Sequence, residues 1–268
     1  MTENKIENVA NYLSYQVEII GSPEVVAPPD KDVPGNQAGE PVFGRQATLL
    51  EKITGWQPAL LIFDLGNDAV PWRKWIATLK SSPATRRIPV LCFGPHVNVE
   101  VMTGARDVGA DEVVGRSRFM SAMPDLITKL ARSWDYEAIT TACQESLSEL
   151  GKKGIEAFNK GDYFESHEHL EDAWNEDDGP ARDLYKAVLQ VAVAYLQIER
   201  QNYSGAVKMF LRARQWLEPL PDVCRGIDIG CLKQDAQQVH QMLLELGPQQ
   251  IQTVDRTIFK PVNLIREL

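Results

Sequence analysis

Hydrophobic and polar positions change their period once along this chain, near residue 131. Before that point short apolar runs alternate with amphipathic stretches. The runs at 59–63 and 89–93, Ala-Leu-Leu-Ile-Phe and Pro-Val-Leu-Cys-Phe, are continuous, as in parallel strands covered on both faces. Gln-Val-Glu-Ile-Ile-Gly at 16–21 and Glu-Val-Val at 112–114 predict two more strands. Amphipathic periods at about 5–14, 45–54, 71–80, 99–108 and 118–131 predict helices. Strands alternating with helices imply a parallel α/β sheet. The Pro- and Gly-rich stretch 22–43 predicts an exposed loop.

From about residue 137 the period is helical throughout, predicting helices over 137–159, 162–176, 180–200, 203–217 and 231–246. Leu184, Val188, Leu189, Val191, Ala192, Val193 and Leu196 make the third of these apolar nearly all round, so it is expected at the centre. Tyr163, Ser166, Leu170 and Ala173 recur as Tyr203, Ala206, Phe210 and Ala213 at a constant offset of 40. That echo is similar to the hairpin of tetratricopeptide-type repeats, and two copies suit a compact helical bundle better than a solenoid. The expected domains are residues 1–131 and 139–268, joined by a linker at 132–138 that carries Trp134 and Tyr136.

Composition narrows the class. A chain of 268 residues with 44% hydrophobic and 24% charged positions has room for two soluble domains. No apolar run approaches the roughly 20 residues that span a bilayer, and the polar, acidic N-terminus is unlike a signal peptide. Cys92, Cys143, Cys224 and Cys231 show no paired framework and read as reduced thiols of a cytoplasmic protein. Residues 1–133 hold 14 Lys+Arg against 15 Asp+Glu, and residues 134–268 hold 14 against 22, so the halves carry −1 and −8. The acidic half would repel a phosphate backbone, so the expected partner is a protein, with no nucleic acid and no membrane.

The densest chemistry lies at 161–174, Gly-Asp-Tyr-Phe-Glu-Ser-His-Glu-His-Leu-Glu-Asp-Ala-Trp. Tyr163, His167, Leu170 and Trp174 share a helical stripe, which puts His167 and Glu171 on the expected buried edge and Glu168 on its flank. An imidazole and a carboxylate on an apolar face either satisfy each other or serve a function. In the structural reading, His167, Glu168 and Glu171 form a buried network with Gln190, and His167→Ala would cost about 2–4 kcal/mol. In the catalytic reading, His167 moves a proton with Glu171 as its orienter, as in a hydrolase. One helix offers at most two or three metal ligands, and His240 brings no acid three residues away, so no metal or other cofactor is expected.

Two resemblances frame these residues. Residues 10–131 resemble the receiver domain of bacterial response regulators. Pro58-Ala-Leu-Leu-Ile-Phe-Asp64-Leu65 looks like the strand that ends in the phosphoacceptor aspartate, and Ile88-Pro-Val-Leu-Cys-Phe-Gly94 and Gly109-Ala-Asp-Glu-Val-Val-Gly-Arg116-Ser117 resemble the strands that follow. The resemblance implies a flavodoxin-like parallel sheet. The departures imply a pseudo-receiver lacking one strand. Gly94 replaces a hydroxyl residue, Arg116 replaces a lysine, and no acid pair is present to hold Mg²⁺, so Asp64 is expected to be inactive. The chain opens on what looks like the first helix. Either the missing strand lies upstream of this start, or 16–21 takes a place beside 59–63.

The helical half is similar to a bacterial and archaeal family known as domain of unknown function 309. The similarity runs over about 150–262 and rests on Phe158-Asn159-Lys-Gly161-Asp-Tyr163-Phe-Glu-Ser-His167-Glu168-His-Leu-Glu171-Asp-Ala-Trp174. Further matches are Leu189-Gln190-Val-Ala192, Arg200-Gln-Asn202, Gly205-Ala206 and Asp255-Arg-Thr-Ile-Phe259-Lys260-Pro261, with Gln201 departing from a frequent glycine. The family implies an all-helical fold and no established activity. The expected function is non-enzymatic signalling or scaffolding through protein contacts, with a hydrolase-like enzyme acting through His167, Glu168 and Glu171, with or without a metal held by these three, as the alternative.

Overall fold

A computed structural model describes residues 2–26, 45–95 and 97–265. The chain divides into two compact units, Met1–Ser133 and Trp134–Leu268.

The first unit is built on three parallel strands, β1 (Leu61–Asp64), β2 (Val90–Gly94) and β3 (Glu112–Gly115), in that spatial order. The ladder pairs Leu61 with Val90 and Leu91 with Glu112. Alternation along β2 sends Val90 and Cys92 to one face and Leu91 and Phe93 to the other. Two helices, α3 (Trp72–Ser81) and α4 (Val99–Asp107), put Ile76 and Met102 against the first face. The second face packs on Phe119, Met123, Leu126 and Ile127, with Ile6 and Val9 of α1 (Thr2–Tyr12) at its margin. A further helix, α2 (Arg45–Trp56), contributes Leu49 and Ile53 beside Trp75 and Leu79.

Three expectations for this unit need correcting. Residues 16–21 form no ladder, so the described sheet has three strands and not four. Alternation in 16–21 resembles a strand, yet Val17 and Ile19 face solvent and Ile20 alone packs beside Leu61 and Phe63. Residues 23–25 of the expected loop form a short 3-10 helix capped by Ser22, and 27–43 lie outside the described residues. The helix expected over 118–131 is two, α5 (Arg116–Ser121) and α6 (Met123–Leu130), because Pro124 starts a new helix after Ala122.

The second unit is mostly helical: α7 (Tyr136–Ala142), α8 (Glu149–Asn159), α9 (Tyr163–Glu176), α10 (Asp183–Glu199), α11 (Tyr203–Leu217) and α12 (Ile229–Leu246). A short antiparallel hairpin, β4 (Val223–Cys224) and β5 (Ile227–Asp228), precedes α12. As expected, α10 is the central helix, with most of its side chains buried. The echo at offset 40 is a structural repeat. Tyr163, Ser166, Leu170 and Ala173 and their counterparts Tyr203, Ala206, Phe210 and Ala213 are all buried. The turns repeat as well. Asp162 caps α9 by accepting from Glu165 N, and Asn202 caps α11 by accepting from Gly205 N. Before each cap one residue takes a positive φ, Gly161 at 81° and Gln201 at 56°. Between α8 and α9 the backbones approach closely, because a Cβ at Gly154 would meet Leu170 Cγ at 2.6 Å.

The single helix expected over 137–159 breaks at 143–148. Cys143 is joined to Cys224 in a disulfide, and Ser148 caps a new helix by accepting from Gly151 N. Four reduced thiols were expected; Cys92, buried in β2, and Cys231 are the free ones. The two partners lie 81 positions apart, beyond any local spacing rule. A cytoplasmic setting inferred from unpaired cysteines loses that support. Among the described residues no helix is long and apolar enough to cross a membrane.

Candidate functional site

The stripe that α9 buries is Tyr163, Ser166, Leu170 and Ala173. This phase is one position off the expected one, so His167 falls at the border and Glu171 beyond it. His167 is 33% exposed and Glu171 55%, with Nε2 and Oε2 3.8 Å apart, too far for a hydrogen bond. Glu168 is exposed. His169 instead meets Glu165, Nε2 to Oε1, at 3.2 Å. The expected buried network does not form. Gln190 is buried on α10, its Oε1 without a partner, and the acids of α9 do not reach it. Ser166 Oγ is likewise buried and unpartnered.

What α9 presents outward is an open acidic face. Glu165, Glu168, Glu171, Asp172 and Glu176 lie on it, and the helix contains no Lys or Arg. Phe164 stands on that surface at 50% exposure. Trp174, at the end of the helix, is covered by Arg182 and Lys186, whose charges lie 4.2 and 3.3 Å from its ring centre.

In the first unit, Asp64 ends β1 and Arg116 opens α5. Arg116 Nη2 donates to both carboxylate oxygens of Asp64, at 2.7 and 2.9 Å, and Gly66 N donates to Oδ1 at 2.9 Å. The guanidinium lies over the Phe93 ring at 5.1 Å. The acid already has a cation of the chain for its partner. Among the described residues no three His, Cys, Asp or Glu side chains converge as metal ligands.

Two constellations escaped the sequence reading. Arg225 and Gly226 form the tight turn of the hairpin, with φ of 49° and 78°. Its side chain is 4% exposed and bonds Asp177, Glu145 Oε2 at 3.1 Å and Tyr185 OH at 3.0 Å. Its backbone N donates to Cys143 O at 2.7 Å. Burial pulls the Arg225 pKa down, but the hydrogen bond to Asp177 and the neighbouring Tyr185 raise it overall. This buried knot fixes the break between α7 and α8.

The second constellation is a cavity of about 360 Å³ where the ends of the helical hairpins meet the C-terminal segment. Phe158 at the end of α8, the turn Asn159-Lys160-Gly161, Tyr163 and Glu199 line it from one side. Arg256, Phe259 and Pro261 line it from the other. Asn159 clamps the segment, donating to Val262 O at 3.0 Å and accepting from Val262 N at 2.7 Å. Phe259 stacks on Tyr195 at 4.3 Å and meets Tyr163 edge-on at 6.2 Å. Arg256 Nη1 bonds Glu199 Oε1 at 3.1 Å. Burial, then the charge of Glu199, pushes the Tyr163 phenol up to about 12, although Arg256 opposes the shift. The phenol is therefore a donor at neutral pH.

A family model described as domain of unknown function (DUF309) matches residues 152–209, from within α8 into α11. No curated protein matches the chain. The matched stretch includes the outward face of α9 and Phe158, Asn159, Lys160, Gly161, Tyr163 and Glu199 of the cavity wall. Asp255–Pro261, which the sequence reading included, lies beyond it.

Proposed function

We propose that the chain is a non-enzymatic signalling or scaffolding protein that works through protein contacts, with the outward face of α9 as its contact surface for a basic partner segment. One observation carries this reading: five carboxylates and a half-exposed Phe164 share an open helix face that carries no Lys or Arg. Charge would steer a basic segment there and the phenyl ring would anchor it. The hydrogen bonds from Arg116 Nη2 to both Asp64 oxygens support a degenerate receiver-like first unit, in which the acid keeps a partner without phosphate or metal. The two hairpins at offset 40, with the same caps and buried stripes, support a tetratricopeptide-like second unit. For the hydrolase alternative, His167 and Glu171 sit on that open face, and neither lines the cavity at the ends of the hairpins.

Affinity capture from cells of the source, comparing the natural chain with a Phe164→Ser, Glu168→Lys double variant of unchanged far-UV circular dichroism, tests the reading. A basic partner retained by the first and lost by the second is the expected result. Identical captured sets would refute it.

A further inference from the structure

The shortest α-helix described in the second unit, α7, is also the first after the boundary at Ser133. Of its seven residues only Ile139 and Ala142 are buried. A helix of fewer than about 12 residues does not persist in water without tertiary support. That support is concentrated at one end. Cys143, next after the helix, is bonded to Cys224 of β4. Arg225 reaches the same place: its backbone N donates to Cys143 O at 2.7 Å, its Nε to Ala142 O at 3.4 Å and its Nη2 to Glu145 Oε2 at 3.1 Å. The core of α8–α11 is built from other residues. Phe158, Tyr163, Tyr195 and Phe210 pack on one another, and Gly154 lies against Leu170.

We propose that the Cys143–Cys224 disulfide is a reversible redox latch. Oxidised, it holds α7 and the chain leading into it on the helical bundle; reduced by a dithiol, it releases them and leaves the bundle folded. The cross-link joins positions 81 apart, so cutting it returns conformational freedom to the chain around α7. What remains at that end is Arg225 on two carbonyls and on Glu145. Glu145 is 65% exposed, so this ion pair holds little. The other bonds of Arg225, to Asp177 and Tyr185 OH, keep the hairpin on the body of the unit and do not touch α7.

Release is a thiol–disulfide exchange. One thiolate of the dithiol attacks Cys143 Sγ, because Gln144, Glu145 and Ser146 beside it are exposed whereas Cys224 is fully buried. The Sγ–Sγ bond breaks, and its electron pair leaves on Cys224 and takes up a proton. The second thiolate of the dithiol then displaces Cys143, which is protonated in turn, and closes the reductant's own disulfide. The dithiol loses two electrons and two protons, and the two cysteines gain them. A disulfide of the same class drives the exchange backwards and closes the latch.

Hydrogen exchange of the full chain, read by mass spectrometry with and without dithiothreitol, tests the latch. The amides of Ile139 and Cys143 bond Asp135 O and Ile139 O within the helical turn, so they report on α7. Dithiothreitol should speed exchange over 139–143 at least about tenfold and leave α10 and α11 unchanged. Replacing it with oxidised glutathione should restore the slow exchange. A Cys143→Ser, Cys224→Ser double variant should exchange fast over 139–143 without reductant and show no response to it, with α10 and α11 as in the natural chain. The proposal is overturned if iodoacetamide fails to label Cys143 and Cys224 under native dithiothreitol, or if reduction leaves α7 as protected as before. It is equally overturned if reduction exposes α10 and α11 together with α7, because the bond would then be a staple of the whole unit.

Discussion

Acidification should destabilise the helical unit through one buried side chain, His240 of α12. It is 2% exposed, stacks on Phe210 with ring centres 5.2 Å apart, and lies 3.2 Å from Arg214 Nη2 at its Nδ1. A guanidinium can only donate, so Nδ1 must accept, and the ring is neutral in the folded state. Burial first, then the Arg214 charge, lowers its pKa from 6.5 to about 3. The unfolded chain therefore binds a proton near pH 6.5 that the folded chain refuses until about pH 3. Because the unfolded state holds more protons in that window, stability rises with pH there and is lost as pH falls. Between pH 7 and pH 5 the loss from this one group is about 2 kcal/mol, a large share of the stability of an ordinary domain.

Urea melts of the full chain at pH 7 and pH 5 measure this, with His240→Met as the reference. Methionine fills a similar space and does not titrate. The acids of the chain titrate in both proteins, so their contribution cancels in the comparison. The natural chain should lose about 2 kcal/mol more than the variant between the two pH values. Equal losses would refute the reasoning, because His240 would then be open to water or able to accept its proton in place.

Two further substitutions test the reading of the helical hairpins. His167→Ala should change the stability of the chain by less than about 1 kcal/mol in denaturant melts, since the side chain is one-third exposed and its partner is 3.8 Å away. A loss in the 2–4 kcal/mol range expected of a buried pair would contradict the exposed geometry. Gln201→Gly should raise stability by up to about 1 kcal/mol, because Gln201 holds φ of 56° where its structural twin is Gly161. Thermal unfolding checks it, and a lowered melting temperature would show that the Gln201 side chain makes up for its backbone strain.

Elements whose evidence is periodic were legible in the sequence. The apolar runs at β1 and β2, the all-round apolar α10 and the offset of 40 each depend on residue type repeated at fixed spacing, and each appears in the fold. The phase of α9 was legible too, but two sequence clues disagreed. The stripe through His167 and Trp174 and the echo through Ser166 and Ala173 differ by one position, or about 100°. Ser166 and Ala173 are small, and small residues let α9 lie close to its neighbours, as Gly154 does on α8. The echo was the better guide because it compares two helices, and what packs in one place must pack in the other.

What the sequence hid is non-local. Cys143 and Cys224 meet across 81 positions, and Arg225 gathers Glu145, Asp177 and Tyr185 from three separate segments around a single guanidinium. No spacing rule reaches so far. The cavity is a middle case. Phe158, Gly161, Tyr163 and Arg256 fell within matched motifs, but Glu199 did not, and nothing in the sequence paired that acid with an arginine 57 positions later. They acquire meaning because Asn159 ties the C-terminal segment down at Val262 and so brings Arg256 and Phe259 against the α8–α9 turn. The segment from Asn159 to Tyr163 therefore has two jobs. It starts the helix whose outer face is acidic, and through Asn159 it holds the C-terminal segment against the ends of the helical hairpins.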